Sequence, residues 1–322
     1  EGTRDPTKRA VIINVPMTFP AREMSGALIA GFVALDLERA TFPRSLVPKL
    51  QAMDYRVDVD AKKAHQSLDL FLKDLERTLQ ARIAAYRYLW QEENWETFML
   101  VFTGTDRLAH FLWDAHDDES HPHRDDFLAH FRQIDAAIGE IANRLCTDDA
   151  LVMLSDHGFE HLEQNVYVNS ILKEAGFLRF TGDAPDLRHI SPQTRAFALD
   201  PGRIYLHKRA RYPNGGVEPA DEQAILDDLV ALFESVAWHG QRVIQRAFRR
   251  EAIYAGPHID RAPDLVLLGN PGYNLRGKLN AEQPFGTDAF AGKHSQADAF
   301  LLTWGEHATH AMPAQPSVSD VV

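Results

Sequence analysis

Three short strings set carboxylates and imidazoles at spacings that suit a divalent cation. One is Leu154-Ser155-Asp156-His157-Gly158-Phe159, in which an Asp and a His follow directly on an apolar run. Another is Thr103-Gly104-Thr105-Asp106-Arg107-Leu108-Ala109-His110, again after an apolar run. Asp106 and His110 are separated by one helical turn, so on a helix both side chains share a face. The third is Gly292-Lys293-His294-Ser295. Mixed oxygen and nitrogen ligation suits zinc or manganese better than calcium, which takes oxygen ligands. Each string alone also reads as an ordinary turn, since Asp, His and Gly are common in loops. Together they offer five ligands, Asp106, His110, Asp156, His157 and His294, three for one ion and two for a second.

Each candidate borders a run that reads as a strand, at residues 98–102, 150–154 and 299–303, which is where open α/β sheets gather their sites. Further strands are predicted at 11–15, stopped by Pro16, at 27–33, and at 203–206. Leu68, Leu72, Leu75, Leu79, Ile83 and Tyr86 follow helical spacing over 61–91. Phe127, Phe131, Ile134, Ile138, Ile141 and Leu145 do so on a second helix opened by Pro122. Helices are also predicted at 165–176, with Gly176 as C-cap, at 221–235 and at 240–254. From about residue 180 to 292 Pro and Gly become frequent. The pattern predicts an α/β fold, a mainly parallel sheet flanked by helices, with an inserted smaller α+β region. The boundaries are a core over 1–179, an inserted subdomain over 180–291, and a return to the core over 292–322.

The Thr-Asp-Arg-x-x-His run, the Ser-Asp-His-Gly-Phe run and the Gly-x-His loop resemble those of the alkaline phosphatase superfamily, in its type I phosphodiesterase/nucleotide pyrophosphatase branch. Val15-Pro16-Met17-Thr18-Phe19-Pro20 and Ala262-Pro263-Asp264-Leu265-Val266 are similar to segments of the same group. The resemblance implies an alkaline phosphatase-like fold and two divalent ions, zinc before manganese. Asp106, His110 and His294 would hold one ion; Asp156 and His157 would hold the other with an Asp and a Ser or Thr nucleophile from an earlier segment. No hydroxyl here matches that nucleophile's motif, so it is expected upstream of residue 1, with the closing helix cut near 317–322. The implied activity is phosphoric ester hydrolysis, a hydroxyl attacking phosphorus between ions roughly 4 Å apart. A sulfatase or phosphomutase shares this ligand logic, and a metal-binding pseudoenzyme is the reading from another class.

Composition sets the outer bounds. The 322 residues, 45% hydrophobic, suffice for a sizeable core. A net charge of −12 argues against general nucleic-acid binding while leaving a small phosphate ester as substrate, because bound metals dominate the local field. The single cysteine, Cys146, excludes an intrachain disulfide and suits a reducing, cytoplasmic setting. Its place near the end of an amphipathic helix predicts a buried, inert thiol. No apolar run reaches the roughly 18 residues of a membrane span. The loop histidines His116, His121 and His123 read as exposed polar residues ahead of a helix.

Overall fold

The structure is a computed structural model describing residues 8–34, 36–182 and 185–305. Readings that fall on 1–7 and 306–322 lie outside the described residues. The chain divides into two compact units, one running to Gly158 and resuming at Gln296, the other spanning Phe159–Ser295.

In the first unit the run Ala-Val-Ile-Ile-Asn-Val forms β1 (Ala10–Val15), nearly buried along its length as an interior strand must be. Beside it β2 (Gly26–Ala30) runs parallel, and β3 (Thr41–Phe42) closes that edge antiparallel to β2. After a short helix, α1 (Val47–Ala52), comes the long α2 (Leu68–Glu92). Its face of Leu79, Ile83, Tyr86 and Leu89 packs on Val11, Ile13, Ala27 and Ile29. Residues 61–63 form a separate 3₁₀ turn, because the Asp60 carboxylate accepts from the Lys62 amide and closes it off from α2. The next strand, β4 (Thr97–Leu100), lies parallel to β1 at the sheet edge. It leads into α3 (Gly104–Asp117), which packs against α4 (Arg124–Ala142), and then β5 (Leu151–Leu154) follows.

One expectation fails here. Helix α4 stops at Ala142, before Cys146, which stands exposed in the following turn. The apolar stripe continues to Leu145, but the Asp149 carboxylate accepts from the Cys146 amide and holds a turn where the helix was predicted to end.

The second unit opens with β6 (Gly158–His161), whose first residue ends the first unit, and β7 (Gln164–Tyr167). The predicted helix at 165–176 is thus shortened to α5 (Val168–Glu174), since residues 164–167 are drawn into a sheet. Gly176 does take the left-handed conformation past its end, φ +76°. Next come β8 (Ala196–Leu199), β9 (Arg203–Leu206) and α6 (Glu222–Glu234). The helix predicted over 240–254 is mostly extended: β10 (Ala237–Trp238), β11 (Gln241–Arg242) and β12 (Ile244–Arg249) precede a single turn, α7 (Arg250–Ile253). His239 and Gly240 both have positive φ, the two-residue hairpin geometry that turns β10 back into β11. Strand β12 then pairs along the apolar β13 (Leu265–Gly269), where a sheet neighbour overrides helical spacing.

The unit ends with β14 (Tyr273–Arg276), β15 (Phe285–Gly286) and β16 (Gly292–Ser295), the last paired with β6. Its core gathers Val166, Leu172, Ile204, Leu229, Phe233 and Leu265. Back in the first unit, β17 (Leu301–Trp304) lies antiparallel to β5. Parallel pairing holds for β2-β1-β4 and for β7 with β14, whereas β12-β13-β9-β8 is antiparallel throughout. The fold is therefore mixed α/β with several sheets. Strands β4, β5 and β17 contain no buried residue, and Met99, Val152, Leu154, Leu302 and Trp304 are exposed on them. No helix among the described residues is long and apolar enough to cross a membrane.

Candidate metal centre

Two of the sequence-predicted ligands come from one helical turn. Three residues separate β4 from α3, which carries Asp106 in its first turn and His110 one turn on. The Nε2 atom of His110 lies 3.7 Å from Oδ1 of Asp106. Two more come from the turn after β5, where the Phe300 amide donates to the Ser155 hydroxyl at 3.0 Å and ties that turn to the strand entering β17. From this turn His157 directs its Nε2 to the same Asp106 oxygen, at 3.8 Å, and to Oδ1 of Asp156, at 3.6 Å. The first unit thus brings together Asp106, His110, Asp156 and His157.

These separations are too long for hydrogen bonds. The His110–Asp106 and His157–Asp156 separations suit pairs of donors that share an ion: two ligands on tetrahedral zinc, each bonded at roughly 2.0–2.2 Å, stand about 3.4 Å apart. The tautomer fits as well. His157 Nδ1 lies 3.0 Å from the Gly158 carbonyl oxygen, which can only accept, so Nδ1 carries the proton and Nε2 keeps its lone pair for a cation. Asp106, His110 and His157 are each partly shielded from solvent, and Asp156 is the open member. Donors of these two kinds, imidazole and carboxylate, fit zinc or manganese.

His294 belongs to the second unit, exposed on β16, its ring edge-on to Phe159 at 5.1 Å between centroids. The neighbouring Lys293 pairs with Glu160 on β6. The final Phe of the Ser-Asp-His-Gly-Phe string therefore supports an imidazole far along the chain.

Three supporting groups carry little sequence signal. Arg107 lies inside a quoted string, yet its partner Asp58 is unmarked by any pattern; Nη2 of Arg107 donates to Oδ2 of Asp58 at 2.6 Å. Burial works against the Arg107 charge, but the hydrogen bonds and charge of Asp58, helped by Asp106, outweigh it and hold its pKa above the ordinary value. Behind the start of α3, the buried Arg82 donates to the Thr103 hydroxyl at 2.9 Å, and the same hydroxyl faces Asn14 Nδ2 at 3.4 Å. His130 is buried against Gly104, and desolvation, reinforced by the Arg82 charge, lowers its pKa to about 4. His116 lies on the last turn of α3 rather than in the predicted loop, exposed and paired with Asp117, and His121 and His123 are half-buried rather than exposed, His123 pairing with Asp126.

Among curated proteins no sequence matches this chain. Two crystal structures of phosphonoacetate hydrolase from Sinorhizobium meliloti 1021 are similar to it. The complex with phosphonoformate aligns with 98% of this chain and 68% of its own at 12% identity, TM-score 0.51. The complex with phosphonoacetate aligns with 77% and 52% at 12% identity, TM-score 0.43. This chain thus spans about half to two thirds of the length of those proteins, and at such identity the likeness concerns the fold. The sequence itself is matched by the family model of type I phosphodiesterase / nucleotide pyrophosphatase over residues 7–296, and the chain belongs to that family.

Proposed function

We propose that this chain carries the metal-binding part of a phosphoric ester hydrolase of the phosphodiesterase/nucleotide pyrophosphatase type, acting on a small phosphate ester. The observation that carries the reading is the single Asp106 oxygen faced by Nε2 of His110 and of His157 at 3.7 and 3.8 Å. Asp106 and His110, joined by His294, hold one divalent ion; His157 and Asp156 hold a second. What supports His294 is its donor type and the ring of Phe159, from the Ser-Asp-His-Gly-Phe string, set edge-on to it at 5.1 Å between centroids.

A bound divalent ion supplies Lewis acidity, withdrawing charge from a phosphoryl oxygen and stabilising the leaving oxygen. The chain's own groups do the rest. Asp106 and Asp156 concentrate negative charge where the cations are held, and the Gly158 carbonyl keeps the His157 proton on Nδ1, away from the reacting face. A Ser or Thr nucleophile, with the remaining Asp ligand, is assigned to a segment upstream of residue 1.

Zinc binding and turnover test the reading together. The chain binds about one zinc equivalent tightly, since a catalytic zinc keeps three protein ligands, and Asp106→Asn or His110→Ala weakens that binding sharply. Hydrolysis of an aryl phosphodiester by the 322 residues is near background. Extension upstream restores turnover, and His294→Ala in the extended chain removes it. A chain without affinity for zinc, or one that turns over robustly unextended, contradicts the proposal.

A further inference from the structure

We infer that Arg107, held by Asp58, is a positioning residue that gives the two oxygens of Asp106 different tasks; the inference rests on reading the cluster as a metal centre. The guanidinium of Arg107 forks onto the Asp58 carboxylate, Nε and Nη2 donating to Oδ2 at 3.1 and 2.6 Å and Nε also reaching Oδ1 at 3.4 Å. The ring of Phe32 lies against the guanidinium, 4.8 Å from its carbon to the ring centroid. The fork sets the direction of the guanidinium plane and the ring sets its height, so the remaining nitrogen has one place to go. That nitrogen, Nη1, stands 3.7 Å from Asp106 Oδ2. The other oxygen of the same carboxylate, Oδ1, faces His110 and His157.

The consequence follows from electrostatics. A carboxylate free to rotate presents either oxygen, or both, to a cation. A fixed positive charge beside Oδ2 penalises turning that oxygen away and leaves Oδ1 as the donor. At 3.7 Å the contact is longer than a hydrogen bond, so the arginine orients the carboxylate without saturating it. Asp58 is what maintains this distance. Released from Asp58, the guanidinium would close on Asp106 as a bidentate pair and compete with the cation for its ligand. Asp58 therefore acts on the metal site through Arg107 alone. A lysine at 107 keeps the charge but cannot hold Asp58 and Asp106 at once.

The test is zinc affinity, measured by competition with a chromophoric chelator, alongside thermal unfolding, for wild type, Arg107→Met, Arg107→Lys, Asp58→Asn and the Arg107→Met/Asp58→Asn pair. Partners that orient a ligand typically contribute about 10-fold or more to affinity, so each single variant should bind zinc about 10-fold more weakly. The double variant should match Arg107→Met within about threefold, because Asp58 has no route to the metal except Arg107. A lower unfolding temperature with zinc affinity unchanged would mean a structural role only and overturn the inference. Multiplied losses in the double variant would overturn the relay. If Arg107→Met does not fold, Phe32→Leu decides: about a two- to fivefold loss supports the inference, and no loss overturns it. A wild-type chain that takes up no zinc refutes the metal centre instead, so the two failures are distinct.

Discussion

His157 and Asp106, from different turns of the first unit, meet across 3.8 Å with a nitrogen lone pair facing a carboxylate oxygen. Two acceptor atoms in that arrangement repel unless a proton or a cation stands between them. The Gly158 carbonyl keeps the ring proton on the opposite nitrogen. The pair is therefore set to face cations, Asp106 on one ion and His157 on the other.

That arrangement predicts a tautomer. In two-dimensional ¹H–¹⁵N correlation spectra at neutral pH, His157 should show the Nδ1–H form. Added zinc should shift its Nε2 resonance while Nδ1 stays protonated. An Nε2–H tautomer that persists in the presence of zinc would contradict the assignment.

A second expectation concerns pH. His130 is buried beside Arg82, and its pKa falls from 6.5 to about 4. The unfolded chain takes up a proton as pH falls through 6.5, which the folded chain resists until about 4. Stability contributed by the neutral ring is thus present above pH 6.5 and is lost as pH falls toward 4, by on the order of 3 kcal/mol. Urea unfolding at pH 7, 5.5 and 4.5 should show the decline, and His130→Leu should flatten it. The same slope in the variant would place the effect elsewhere.

Gly104 gives a third. A Cβ there would meet His130 Nε2 at 2.5 Å and Leu75 Cδ1 at 3.3 Å. Alanine is ordinarily the better helix former, by about 1 kcal/mol. Here the buried ring cannot yield, so Gly104→Ala should instead destabilise by about 1–3 kcal/mol and shift the first turn of α3 that carries Asp106. The checks are thermal unfolding and zinc affinity, both expected to fall. An unchanged or raised unfolding temperature would show that the space behind α3 is open.

How much of this was legible in the sequence depends on the range of each contact. Asp106 with His110, and Asp156 with His157, declare themselves because their partners are one turn or one residue away. Strands β1, β4 and β5 are visible as apolar runs beside them. The Arg107–Asp58 pair joins residues 49 apart through a loop without a pattern, so only the fold can show it. Arg82 and His130 are polar residues within helices otherwise read from their apolar stripes, and nothing in spacing tells a buried polar residue from an exposed one. The helix expected over 240–254 was lost to pairing with β13, a long-range partner. Cys146 was misplaced because the stripe outlasts the helix, which a turn closed by Asp149 ends early.

The most direct measurement is zinc K-edge X-ray absorption on the chain loaded with one equivalent of zinc. The account predicts a first shell of nitrogen and oxygen at about 2.0–2.2 Å, with the outer-shell scattering of imidazole, that loses an imidazole in His110→Ala. A sulfur neighbour at about 2.3 Å would place the metal on the exposed Cys146 and contradict it.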